Sequence, residues 1–144
     1  MEPPAAGQTP SKGLILCADD DNAVLATLDA LLTTSGYRTV LAHNGEEAIP
    51  LFKQHKDELT AVVLDLRMPK KDGMATAKEI RAEAPNLPII AVSAYLIGSQ
   101  VRDILRQCAE GGFDACTRKP FDTAGFLKTL AECIARRARN RPHP

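Results

Sequence analysis

No tryptophan occurs in this chain, and only two tyrosines and four phenylalanines do, so its core must be built from aliphatic side chains. Net charge is absent too, with 18 Lys and Arg against 18 Asp and Glu. A bulk field that would draw the chain to nucleic acid or to an anionic membrane is therefore missing, and neither is expected as a partner. No apolar run approaches the ~18 residues of a membrane span. The opening MEPPAAGQTPSKG lacks the basic and apolar regions of a secretory signal. Cysteine is sparse: Cys17, Cys108, Cys116 and Cys133 form no C-x-x-C pair. Reduced thiols of a cytoplasmic protein are expected, rather than a disulfide framework.

What is present suits one domain. A chain of 144 residues, 44% hydrophobic, can bury roughly two thirds of its surface without staples. Pro3, Pro4, Gly7 and Pro10 make residues 1–12 a disordered lead. The ending ARRARNRPHP reads as a basic tail over residues 136–144, a solvated and fraying helix end. The folded domain is expected over residues 13–135.

Five short apolar runs alternate with five helical patterns. LILC (residues 14–17) reads as a buried strand. A helix follows from Asn22 to Ser35, with Val24, Leu25, Leu28, Leu31 and Leu32 on one face and Gly36 as its stop. YRTVLA is a second strand. Asn44 with Glu47 resembles a capping box opening a helix over residues 45–56, in which Pro50 should cause a kink or shift the start. AVVLDL, PIIAVSA and DACTR are strands three to five, and MATAKEIRAE is helix three. Helix four is expected over residues 99–110, with Val101, Ile104, Leu105 and Cys108 inward and a Gly-Gly stop. Asp122 or Thr123 caps helix five, whose apolar face carries Phe126, Leu127, Leu130 and Ile134. Continuous apolar strands between amphipathic helices indicate an α/β fold, a doubly wound five-stranded parallel sheet covered on both faces.

In such folds ligands bind outside the carboxyl ends of the strands. There the sequence places Asp19 and Asp20 after strand one, Asp65 at the end of strand three, Ser93 at the end of strand four and Lys119 after strand five. Each alone has a plainer reading: a helix cap, a turn residue, a surface hydroxyl, a turn lysine. Together they form a constellation. Two carboxylates ~5 Å apart repel by roughly 3 kcal/mol at an effective dielectric near 20, and one lysine cannot balance three. A hard divalent cation can, and Mg²⁺ suits carboxylates, waters and phosphate oxygens. That chemistry fits an aspartate acting as nucleophile toward phosphorus, with lysine and serine on the phosphoryl oxygens.

LILCADDDNAVL, VVLDLRMPKKDG, PIIAVSA and CTRKPF resemble, in order and context, the motifs of the bacterial two-component response-regulator receiver domain, over about residues 13–135. The resemblance, to chemotaxis-regulator-like stand-alone receivers, implies a flavodoxin-like strand order of 2-1-3-4-5. It implies that Asp65 is the phosphoacceptor, that Asp20 ligates Mg²⁺ directly and Asp19 mainly through water, and that the Arg67 backbone carbonyl is a further ligand. Ser93 stands at the hydroxyl switch position and Lys119 at the phosphate-binding lysine, with a cis Lys119–Pro120 bond. The implied partners are a sensor histidine kinase or histidine phosphotransfer protein and a downstream protein.

Three features depart from the family pattern. Cys116 stands where an aromatic switch residue is usual. The Ser93-to-Lys119 interval is about four residues longer than usual. Tyr95 and Arg67 occupy variable positions beside the phosphosite. Lacking a ring at Cys116, the chain is expected to transmit its signal through residues 95–102, with Gly98 as hinge and Tyr95 as a candidate substitute ring. With only about ten residues after helix five, a stand-alone switch is expected; a relay intermediate or a detached hybrid-kinase receiver share the motifs. An Asp-nucleophile phosphatase of the haloacid dehalogenase type would need a second aspartate where Arg67 stands. A phosphorylation-independent interaction module would typically have lost the acids or the lysine.

Overall fold

A computed structural model describes residues 11–93, 100–119 and 122–140. In chain order the elements are β1 (Leu14–Ala18), α1 (Asn22–Thr34), β2 (Arg38–Ala42), α2 (Gly45–His55), β3 (Leu59–Asp65), α3 (Gly73–Glu83), β4 (Ile89–Ser93), α4 (Gln100–Glu110), β5 (Ala115–Arg118) and α5 (Thr123–Asn140). All strand pairs are parallel, in the order β2-β1-β3-β4-β5. The doubly wound sheet and its 2-1-3-4-5 order are both as expected.

The strands are apolar throughout because successive side chains serve two different cores. Leu14, Leu16, Val62, Leu64, Ile89 and Ala91 point into one layer, under Phe52 of α2, Ile80 of α3 and Cys108 of α4. Ile15, Cys17, Ala61, Val63, Ile90 and Val92 point into the other, against Leu25, Leu28 and Leu32 of α1 and Phe126 and Leu130 of α5. Each such fully buried leucine contributes about 2 kcal/mol of apolar burial. The faces expected for α1 and α5 are the ones packed, with Cys133 added on α5. On α4 the inward position of Cys108 is as expected. Val101, Ile104 and Leu105 have side chains outside the described set.

Helix ends follow local chemistry. Asp21 caps α1, its carboxylate accepting from the Ala23 N–H at 2.9 Å. Helices α1 and α4 stop in the same way: the N–H of Tyr37 bonds Leu32 O, and that of Phe113 bonds Cys108 O. This closure requires a left-handed residue, supplied by Gly36 (φ +100) and Gly112 (φ +89). On α2, Asn44 accepts from the Glu47 N–H at 2.9 Å. The Glu47 carboxylate returns to the N–H of His43 rather than to that of Asn44, so the capping box is shifted by one residue. Pro50 does not displace the start of α2, which runs continuously from Gly45 to His55. Pro50 and Glu46 are both exposed, so water can satisfy the Glu46 carbonyl that loses its partner.

Strand five begins at Ala115 rather than Asp114 because the Asp114 side chain takes another task. Its carboxylate accepts from the Ile89 N–H at 2.8 Å, Arg81 Nη2 at 3.1 Å and Arg137 Nε at 2.6 Å. Arg137 also donates to Pro85 O at 3.0 Å. Helix α5 continues to Asn140, so the basic stretch from Arg136 is helical that far, and Arg137 anchors it to the sheet's amino-terminal end.

Candidate functional site

The register carries the acidic residues to one edge. Ala18 pairs with Leu64, which puts Asp19 level with Asp65; Asp65 pairs with Val92 and Ser93 with Arg118, one residue before Lys119. Asp19, Asp20, Asp65, Ser93 and Lys119 thus meet at the carboxyl ends of β1, β3, β4 and β5. This is the side on which β1 and β3 diverge to helices on opposite faces.

Asp19 and Asp65 are buried, 1% and 7% exposed, whereas Asp20 is open to solvent. The three can each offer an oxygen within 4.8 Å of the others. Lys119 Nζ lies 2.6 Å from Asp19 Oδ2 and 3.4 Å from Asp65 Oδ2, so its charge falls mainly on Asp19. Asp19 Oδ1 accepts from the Asp21 N–H at 2.9 Å, and Asp65 Oδ1 more loosely from the Arg67 N–H at 3.3 Å. Burial, followed by the charge of Asp19, pushes the Asp65 carboxyl up from 3.8 to about 6, against the opposing pull of Lys119 and the Arg67 N–H. One ammonium therefore leaves three carboxylates with excess negative charge. Oxygen-only donors this close, with that excess, fit a hard dication such as Mg²⁺.

The loop after β3 is shaped around Asp65. A Cβ on Gly73 would collide with the Asp65 carbonyl oxygen, so only glycine allows α3 to start there. Lys70 takes the left-handed conformation, φ 68, in a tight turn closed by the Lys71 N–H on Pro69 O at 2.7 Å. Lys71 pairs with Glu79, and its carbonyl accepts from the Gly45 N–H at 3.1 Å. Ser93 is buried at 3% exposure, and its carbonyl accepts from the Lys119 N–H at 3.0 Å, tying β4 to the residue that carries the ammonium.

Of the residues singled out in the sequence, the structure gathers Asp19, Asp20, Asp65, Arg67, Ser93 and Lys119. Cys116 lies farther back, half-buried in β5 and packed on the α3–α4 layer. Tyr95, Gly98 and the Lys119–Pro120 bond lie outside the described residues. Sequence reasoning missed the Asp19–Lys119 ion pair, which joins residues a hundred positions apart, and the left-handed Lys70, for which Pro69 was the nearest signal.

The sequence profile of the response regulator receiver domain matches residues 15–131. The chain belongs to this family. A receiver domain is the signalling switch of two-component response regulators, and its members bind Mg²⁺ in this acidic pocket. The chain is 36% identical over 121 residues to the transcriptional regulatory protein ZraR of Klebsiella oxytoca, covering 84% of this chain and 26% of that protein. Among solved structures, the CheX–CheY–BeF₃–Mg complex from Borrelia burgdorferi superposes with a TM-score of 0.78 at 27% identity, over 85% of this chain and 89% of that one. The receiver domain of a sensor histidine kinase from Pseudomonas aeruginosa, with magnesium coordinated in its active site cleft, gives 0.71 at 27% identity, over 85% and 98%. This receiver spans between 26% and 51% of the length of the curated relatives. The stand-alone arrangement expected from the sequence is not one those relatives share. Two of those relatives are named as transcriptional regulators, so the absence of a nucleic-acid partner expected from the sequence is not shown. Among the described residues, no helix is long and apolar enough to cross a membrane.

Proposed function

We propose that Asp65 is the phosphoacceptor of this receiver, taking its phosphoryl group from a phosphohistidine on a sensor histidine kinase or a histidine phosphotransfer protein. The observation that carries this is the Asp65 carboxylate itself. It is buried at a strand end, raised in pKa by burial and by Asp19, and within 3.4 Å of the Lys119 ammonium. A carboxylate so poorly balanced has no structural use that asparagine would not serve better. One Asp65 oxygen attacks phosphorus, the P–N bond to imidazole breaks, and the imidazole nitrogen keeps the electron pair. Lys119 shifts toward the new phosphoryl oxygens, and the Ser93 hydroxyl can donate to a third.

Asp19, Asp20 and Asp65 with the Arg67 carbonyl are the residues that would hold Mg²⁺, which when bound neutralises carboxylate and phosphoryl charge. In this reading residues 13–135 form the receiver unit, and the chain catalyses only its own phosphorylation and dephosphorylation. In this reading the protein works in the cytoplasm, which its four unpaired cysteines support. A stand-alone switch, a relay intermediate and the receiver of a longer regulator or kinase all use this chemistry, and each requires a downstream protein to read the phosphorylated state.

The test is a time course with acetyl phosphate and Mg²⁺, following both intact mass and free phosphate. One phosphoryl group per chain, decaying over time, is expected. Many equivalents of acetyl phosphate consumed rapidly would indicate a phosphatase instead, and no adduct would indicate a phosphorylation-independent module.

A further inference from the structure

The connection between β2 and α2 touches both halves of the acidic site. At one end, the Ala42 carbonyl accepts the Asp19 N–H at 3.1 Å; at the other, the Gly45 N–H donates to the Lys71 carbonyl, also at 3.1 Å. The strand end carrying Asp19 and the loop that follows Asp65 are thus both pinned to residues 42–45. Gly45 is the buried first residue of α2, and its N–H is among those a helix leaves without an internal partner. The space around it is closed as well. A Cβ at residue 45 would collide with the Lys71 carbonyl oxygen and with Thr76 Oγ1, and would lie 2.8 Å from Lys71 Cβ. Helix α2 cannot yield, because Asn44 caps it and its Ala48 and Phe52 lie wholly in the core. Nor can Thr76, which is buried and donates to Asp72 O at 2.7 Å. The loop, with Arg67, Pro69 and Lys70 exposed, is the part that would move.

We propose that Gly45 is a positioning residue for Mg²⁺: through the Lys71 carbonyl it fixes the β3–α3 loop, and with it the Arg67 carbonyl, against the strand end that carries Asp19 and Asp20. This rests on the reading of Asp19, Asp20, Asp65 and the Arg67 carbonyl as the residues that hold the metal. Mg²⁺ demands near-ideal octahedral geometry, so oxygens brought by separate segments must be held in register before it binds. Only glycine lets the start of α2 and the loop approach closely enough for the Gly45–Lys71 bond. Residue 45 therefore acts on metal affinity through Lys71 rather than by touching the ion. Linkage gives the converse: a bond that favours the metal-binding arrangement is itself favoured, by the same factor, when metal binds.

The test uses the full chain, with a Mg²⁺ titration of the parent as the control for the site itself. In the parent, amide hydrogen exchange followed by NMR should slow at Gly45 when Mg²⁺ is added. It should stay unchanged at Tyr37, whose N–H bonds Leu32 O at the far end of the sheet. In Gly45→Ala, with far-UV circular dichroism to confirm its fold, calorimetry should show Mg²⁺ affinity lowered roughly 10-fold or more. A glycine with a merely structural role would lower the urea midpoint and leave the folded chain's Mg²⁺ affinity at the parent's value, and that result overturns the proposal. So does exchange at Gly45 that does not slow, or that slows only as much as at Tyr37, a readout that requires no variant to fold. A parent that binds no Mg²⁺ would overturn the metal site itself, and the proposal with it.

Discussion

Replacing Asp65 by asparagine should make this protein more stable in metal-free buffer, although it removes a hydrogen-bonded, buried, charged residue. The unfolded carboxyl titrates near 3.8 and the folded one at about 6. Between these values the folded state binds the proton more tightly, so the parent loses stability as pH rises through that window. At 1.36 kcal/mol per pH unit, the gap corresponds to about 3 kcal/mol lost in full above it. Asparagine keeps the shape but never ionises, so Asp65→Asn should gain roughly 1–3 kcal/mol at pH about 7.5 and much less near pH ~4. Saturating Mg²⁺ should narrow the difference by stabilising the parent alone. Urea denaturation followed by far-UV circular dichroism suits a chain without tryptophan. An asparagine variant equal to or weaker than the parent at the higher pH, without metal, would refute the electrostatic reasoning.

Other perturbations follow from the same geometry. Lys119→Met strips the ammonium 2.6 Å from buried Asp19 and should cost about 3 kcal/mol without metal; an unchanged urea midpoint would contradict the pairing. Asp20→Asn, at an exposed position, should leave stability nearly unchanged while weakening Mg²⁺ binding severely, and titration calorimetry showing equal affinity would remove Asp20 from the site. Lys70→Gly relieves a left-handed lysine and should stabilise by about 0.5–1 kcal/mol, which a lower urea midpoint would disprove. Arg137→Ala breaks the 2.6 Å bond to Asp114; it should cost about 1.5–3 kcal/mol and speed hydrogen exchange in residues 134–140, whereas unaltered exchange there would mean the end of α5 is held by other contacts.

How legible all this was depended on how local the cause is. Asp65 ends an apolar run and is followed by proline and glycine, so a strand-end acid can be read from a dozen residues. Helix starts at Asp21 and Asn44 and stops at Gly36 and Gly112 are equally local, and the structure shows them. The Lys119 bond to Asp19 and the Arg81–Asp114–Arg137 cluster join positions whose proximity only the folded sheet creates. Asp114 illustrates the cost of reading strands from propensity alone: its carboxylate takes the Ile89 N–H and so begins β5 one residue late. Pro50 leaves the start of α2 in place, since the exposed Glu46 carbonyl can turn to water, a matter of burial that a helix pattern does not report.

Locating the phosphoryl group tests the central claim most directly. The chain would be treated with acetyl phosphate and Mg²⁺, reduced with borohydride to trap the acyl phosphate, digested and mapped by mass spectrometry. The trapped residue should be Asp65, with Asp65→Asn unmodified under the same conditions; a trapped residue elsewhere, with Asp65 intact, would contradict the account.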